Sequence, residues 1–101
     1  MLALVSLLSV LKLNDKKIQV LAINILFIIG FALIYWIWGT PEHFKSQFSS
    51  PYLSSLDALY FSFTTHITIG YGDIVPISPG MRFITILHTI VMISYLFLVS
   101  L

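Results

Sequence analysis

Two long uncharged stretches, separated by a polar interval that contains glycines, set the pattern of this chain. Residues 18–38 are 21 residues without a charge, and residues 83–101 are 19 more. As helices they would be about 31 and 28 Å long, enough to cross the hydrocarbon core of a bilayer. The pattern predicts transmembrane helices over 18–38 and, from the polar start at Pro79, over 79–101. A shorter helical run, residues 54–65, lies between them and is too short to span. Ser54 followed by Asp57 resembles a capping box, with aspartate in place of the usual glutamate or glutamine. Asp57 also falls in the first turn, where the helix dipole favours a negative charge. This helix leads directly into residues 66–73, so it must enter the membrane and stop there. Non-helical backbone at that depth is tolerated only if it is buried in protein or lines a water-filled cavity. That constraint alone argues for a pore.

The flanking segments orient this core. Residues 1–17 begin with an apolar run too short to cross a bilayer. Its lysines Lys12, Lys16 and Lys17 follow the run, and no small-residue cleavage site is evident, unlike a signal peptide. Ser6, Ser9, Lys12 and Lys16 share one face of a helix, which predicts an interfacial helix on the membrane surface. A frayed tail or an extension of the first span is the alternative. Tyr35, Trp36 and Trp38 form an expected aromatic belt at the end of the first span. Within that span Asn24 is expected to hydrogen-bond a neighbouring helix or backbone, and Gly30 to allow close packing. Residues 39–53 form an outer connector punctuated by Gly39, Pro41 and Pro51, in which His43 reads as a solvated histidine. Residues 74–78 form an outer loop, Ser78 and Pro79 suit the N-cap and first position of the second span, and Arg82 anchors its outer end. The basic trio, offset by Asp15, precedes the first span, whereas Glu42, Lys45, Asp57, Asp73 and Arg82 follow it. The positive-inside rule then places both termini in the cytoplasm and the Asp73 end of the central loop outside. With no chain written after the second span, no cytoplasmic sensor domain is expected.

Composition narrows the class. Hydrophobic residues make up 58% of the chain and charged residues 9%, unlike an ordinary soluble domain. A net charge of +1 with scattered basic residues gives no nucleic-acid footprint, and the absence of cysteine removes disulfides and thiolate metal sites. No nucleophile–base set or metal-ligand cluster is visible, so neither an enzyme nor a cofactor is expected. Two spans enclose little core, so surface must be buried against lipid and other copies of the chain.

The chemistry lies in Thr65 to Asp73 (THITIGYGD). A cation entering a membrane must shed water, and oxygens must replace its shell. Successive backbone carbonyls serve if they face one axis, which an ordinary strand with alternating carbonyls cannot arrange. Gly70 and Gly72 relieve this, because glycine enters the left-handed region without a Cβ penalty. Carbonyls of Thr68, Ile69, Gly70 and Tyr71 can then face inward, with the Thr68 hydroxyl at the inner end. The competing reading is a tight Gly-Tyr-Gly-Asp turn in a membrane hairpin.

Thr68 to Asp73 resembles the selectivity-filter signature of potassium channels. The whole order resembles two-span potassium channels, most closely the miniature Kcv-type family of algal viruses. Thr64-Thr65-His66 before the filter, Pro76 after it and His88 in the second span carry the specific part of the likeness. The resemblance implies an all-α membrane protein, with two transmembrane helices flanking a re-entrant pore helix and selectivity filter in a homotetrameric pore. It implies passive K+ permeation through the carbonyls of Thr68, Ile69, Gly70 and Tyr71, completed by Gly72. Its partners would be potassium ions, membrane lipid and three identical subunits, in a viral or host cell membrane.

Two residues depart from the pattern. Ile67 stands where a hydroxyl residue is common, which bears on packing behind the inner filter, and Ile77 stands where a lysine is expected at the outer mouth. Filter support is expected from Tyr60, Thr65, His66 and Asp73, with the Tyr60 hydroxyl bracing the aspartate. His66 either donates a hydrogen bond behind the filter or is a packed neutral histidine. His88 is either functional or a neutral histidine bonded to the pore helix or first span. Ser94, Phe97 and Leu101, at spacings of three and four, are the candidate gate, with Ser94 bonding back to the carbonyl of Ile90 or Val91 and bending the helix. A pore-like regulatory subunit that joins host channels and a non-conducting membrane miniprotein are the alternatives.

Overall fold

The computed structural model describes residue 3 and residues 16–48 and 50–101. The expected interfacial helix over 1–17 thus falls outside the described residues, apart from Ala3, Lys16 and Lys17. Five elements follow in order: α1 (Lys16–Ile37), β1 (Phe44–Ser46), α2 (Ser55–His66), β2 (Ile74–Pro76) and α3 (Pro79–Ser100). Lys16 and Lys17 are already helical, so the first span takes in two residues assigned by sequence to the surface segment. A lysine at a helix end does this by running its aliphatic stem along the apolar surface toward water.

Both long helices are apolar enough to cross a membrane. They differ from the core helices of a soluble protein in what they leave uncovered. Only Ile28, Ala32 and Tyr35 of α1 and Met81, His88 and Met92 of α3 are buried, while Leu21, Leu33, Phe83, Ile93, Phe97 and Leu98 are among the exposed apolar residues.

Helix starts follow the sequence signals. Ser54 caps α2 in a reciprocal box, accepting from the Asp57 amide while Asp57 accepts from the Ser54 amide. Ser78 caps α3 by accepting from the Met81 amide at 3.2 Å, with Pro79 following it.

A short element departs from the all-helical expectation. β1 and β2 pair antiparallel, with Phe44 opposite Pro76, Lys45 opposite Val75 and Ser46 opposite Ile74. Strands of three residues carry no readable periodicity, so this ribbon is invisible to pattern analysis. It joins the connector to the outer loop, and the Gln47 amide extends the join by donating to the Asp73 carbonyl at 2.9 Å. His43, expected to be solvated, is half-buried here: its Nδ1 lies 2.7 Å from the Ser78 hydroxyl, and its carbonyl accepts from the Ile77 amide.

The core gathers under this ribbon. Tyr35, Phe44 and Phe61 meet edge to face, with centroids 4.9 to 5.9 Å apart, and Leu53, Ala58, Ile74 and Met81 close around them. Tyr35 is fully buried, which corrects its assignment to the aromatic belt; Trp36 and Trp38 remain exposed as a belt requires. The reason is helical phase. Ile28, Ala32 and Tyr35 recur at four and three residues and form the stripe that α1 turns inward. The buried Ser62 hydroxyl donates to the Ile28 carbonyl at 2.6 Å and ties α2 to this stripe. Gly30 is exposed, and among the described residues no atom of another segment lies within 4 Å of where its Cβ would stand, so it serves no close approach between the described segments.

Candidate ion-conducting site

The loop that leaves α2 is held at its root by the helix it leaves. The Thr64 carbonyl accepts from the Ile69 amide at 2.9 Å and the Gly70 amide at 3.4 Å, and the Thr65 carbonyl accepts from the Thr68 amide. The carbonyl end of α2 therefore points its negative pole toward the start of the loop.

From there the backbone alternates. Thr68, Gly70 and Gly72 have φ of 64, 61 and 81°, and they are the only described residues with positive φ. Alternation of left- and right-handed residues turns successive amide N–H groups to one side. In a trans peptide the carbonyl opposes the N–H, so a full alternation of this kind would turn successive carbonyls to the other side. Two of the three left-handed positions are glycine, which enters that region without a Cβ penalty. Thr68 was not anticipated, because a β-branched residue at positive φ is a genuine outlier. It is held by the Thr65 carbonyl on its amide and by its own hydroxyl, which donates to the Ile67 carbonyl at 2.6 Å.

Residues 67–72 are exposed, Tyr71 by 65%. Thr65 is half-buried and, with Thr68, Gly70 and Gly72, lines a groove whose far wall is Thr85 and Thr89 of α3. At the outer end the Tyr60 hydroxyl donates to Asp73 Oδ2 at 2.6 Å, and the Tyr60 ring stacks on Tyr71 at 6.2 Å. The other Asp73 oxygen accepts from the Ile74 amide. That hydrogen bond to the carboxylate holds the Tyr60 proton, and its pKa is pushed up to about 12. The bond is accordingly present below the ordinary tyrosine value near 10 and is lost as pH rises through about 12. In an ultraviolet titration Tyr60→Phe and Asp73→Asn should each remove one late-titrating step from the parent's curve, leaving the step of the buried Tyr35 in place.

Behind the loop lies a chain of polar side chains. His66 Nε2 is 2.8 Å from Asn24 Oδ1, His66 Nδ1 is 3.1 Å from His88 Nε2, and His88 Nδ1 is 2.8 Å from the Tyr35 hydroxyl. Asn24 thus bonds both a neighbouring helix and, through Nδ2, the Val20 carbonyl of its own. His88 bonds both α2 and α1, and Phe31 stacks on its ring at 4.1 Å. Among the described residues no group of histidine and acidic side chains is arranged to hold a metal ion.

The profile of the Ion_trans_2 family, described as "Ion channel", matches residues 21–100, covering α1 from its sixth residue, the short helix, the loop and α3. The chain belongs to this ion-channel family. It is 39% identical over 70 residues to potassium channel protein kcv of Paramecium bursaria Chlorella virus 1, covering 64% of this chain and 72% of that protein. It is 42% identical over 57 residues to two-pore potassium channel 4 of Arabidopsis thaliana, and 37% identical over 76 residues to potassium channel K1 of Plasmodium berghei. The chain spans 20% and 4% of those two longer proteins.

Among the candidate residues, Tyr60 and Asp73 are in direct contact, and Thr65 and His66 lie immediately behind the loop. The gate candidates Ser94, Phe97 and Leu101 are exposed toward the far end of α3 and touch neither. Among the described residues the Ser94 hydroxyl makes none of the hydroxyl-to-carbonyl bonds of α3, so the expected bond to Ile90 or Val91 is not made. Thr85, Thr89 and Ser100 do donate to carbonyls of α3, and that helix runs unbroken. An exposed serine has other partners open to it, and back-bonding is only one way to satisfy its hydroxyl.

Proposed function

We propose that the chain is a potassium channel that conducts K+ passively, with Thr68 to Gly72 as its selectivity filter. The observation that carries this reading is the left-handed backbone at every second residue, 68, 70 and 72, in a loop exposed along its length. A potassium ion leaving water meets carbonyls of Thr68, Ile69, Gly70 and Tyr71 in place of its hydration shell and passes between adjacent sites as the next ion enters. One loop covers an ion from one side only. A closed ring of four identical subunits completes the cage, and symmetric closure is the usual solution for such an incomplete site. The four α2 helices then aim their negative ends beneath the filter and favour a cation there. Asp73 and Tyr60 fix the outer end, both termini face the cytoplasm, and the exposed apolar faces of α1 and α3 meet lipid or neighbouring subunits.

The gate in this reading is apolar. Phe97 and Leu101 lie four residues apart near the cytoplasmic end, and four copies would form a constriction that closes by losing its water. Ser94, one turn earlier, contributes a polar wall above it. In single-channel recordings Phe97→Ala should remove a class of closed dwell times while selectivity stays as in the parent. Dwell times unchanged in that variant would place the gate elsewhere.

The experiment that tests the reading uses the purified chain alone in a planar bilayer. Potassium current with no other protein present, and a crosslinking ladder in mild detergent that ends at four, are the expected results. Silence of the purified chain, with current appearing only when a second channel subunit is added, would favour a regulatory subunit instead.

A further inference from the structure

The side chains Asn24, His66, His88 and Tyr35 join three helices through consecutive hydrogen bonds, and the order of donors along them is fixed by one group at the end. The Val20 carbonyl can only accept, so the Asn24 atom 2.8 Å from it is the amide nitrogen. Turning the amide over would set two acceptor oxygens against each other. Asn24 Oδ1 therefore faces His66, and His66 Nε2, 2.8 Å away, must donate. His66 is 4% and His88 0% exposed, and among the described residues the rings in contact with His88 are Phe31, Tyr35 and His66, and its hydrogen bonds go to Tyr35 and His66, none of them a counter-ion. A buried charge without a partner is costly, so both rings are neutral, with one donor and one acceptor each. With its proton on Nε2, His66 presents a bare Nδ1 to His88 Nε2, which must donate. His88 Nδ1 is then bare and accepts from the Tyr35 hydroxyl.

We propose that Asn24 is a positioning residue for the pore: it sets the tautomers of His66 and His88, both protonated on Nε2, in a one-way chain running from Tyr35 to Val20. The chain holds the last residue of α2 against both spans. His66 is two residues before Thr68, where the backbone first turns left-handed, and the amides of Ile67 and of Thr68 itself donate back to α2. A loosened His66 therefore loosens the inner end of the loop. Without the Asn24 oxygen the chain has no fixed sense. His66 could then carry its proton on Nδ1 and donate to His88, which would donate from Nδ1 to Tyr35. A two-fold ambiguity of donors would replace a single arrangement. The bearing of this chain on conduction rests on the channel reading above; the proton placement does not.

The test is 15N NMR of the full chain, labelled on histidine, in lipid bilayers, since the two ring nitrogens report directly which one bears hydrogen. In the parent, His66 and His88 should each show a protonated Nε2 and a bare Nδ1. A protonated Nδ1, or a doubly protonated ring, at either position overturns the proposal. In Asn24→Leu, signals of the Nδ1-protonated form should appear at both histidines, and open probability in planar bilayers should fall about tenfold, as expected when a buried donor loses its partner. Asn24→Leu with parental tautomers would show that Asn24 does not set them and would refute its role. If the variant does not fold, the parental spectrum still decides. A chain that carries no potassium current but shows the expected tautomers would sink the channel reading and leave the proton order standing.

Discussion

Gly72→Ala is expected to abolish potassium current while leaving the subunits assembled. Within the subunit space is not the obstacle, because among the described residues no atom beyond the chain neighbours of Gly72 lies within 4 Å of where the new Cβ would stand. The obstacle is the backbone, which holds φ at 81°. An alanine in the left-handed region costs roughly 1–2 kcal/mol, and a ring of four meets that cost four times, about 4–8 kcal/mol in all. The carbonyl-inward arrangement would then be a minor conformer. Thr68 shows what a non-glycine residue needs to remain left-handed: its amide and its hydroxyl each have a carbonyl to hold them. An alanine at 72 brings no side-chain bond of that kind. Planar-bilayer recording checks the current and crosslinking checks the assembly. Selective current of parental size from the variant would contradict the carbonyl mechanism.

Gly39→Ala is expected to damage the fold and not the filter. A Cβ at Gly39 would stand 2.7 Å from the Tyr35 carbonyl oxygen and 2.7 Å from Leu53 Cβ. The oxygen is backbone at the end of α1, and the Leu53 amide donates to the Gly39 carbonyl at 2.9 Å, so neither neighbour can withdraw without breaking the closure of the connector. Overpacking of this kind costs about 3 kcal/mol. Unfolding in detergent should show a clear drop in midpoint, with Gly80→Ala, which has open space, as the control. A midpoint equal to the parent would mean that the connector can shift.

Features set by neighbouring residues could be read from the sequence. The two spans, the capping box of Ser54 and Asp57, the Ser78-Pro79 start and the glycines of the loop are all decided within a few residues, where periodicity and cap chemistry act. The Tyr60–Asp73 bond could also be read, because one helix and the loop leaving it bring those residues together. What could not be read depends on contacts between distant segments. The ribbon pairs residues 44–46 with 74–76 without any pattern in either, and it is what draws His43 to Ser78. Gly39 and Gly30 look alike in the sequence, yet only Gly39 meets another segment. His66 and His88 could each be judged alone as packed or functional, but not as neighbours, since the folding of α3 against α2 is what joins them. Thr68 resisted for a different reason: intrinsic propensity argues against a left-handed threonine, and the carbonyls of Thr65 and Ile67 override it.

The central claim, potassium-selective conduction by this chain, is tested most directly by a bi-ionic reversal potential. Purified protein is placed in a bilayer with potassium on one side and an equal concentration of sodium on the other. A reversal potential displaced far from zero, with the sign that holds potassium back, is expected. A reversal at or near zero, with current flowing equally in both directions, would show that the loop does not distinguish the ions and would contradict the account.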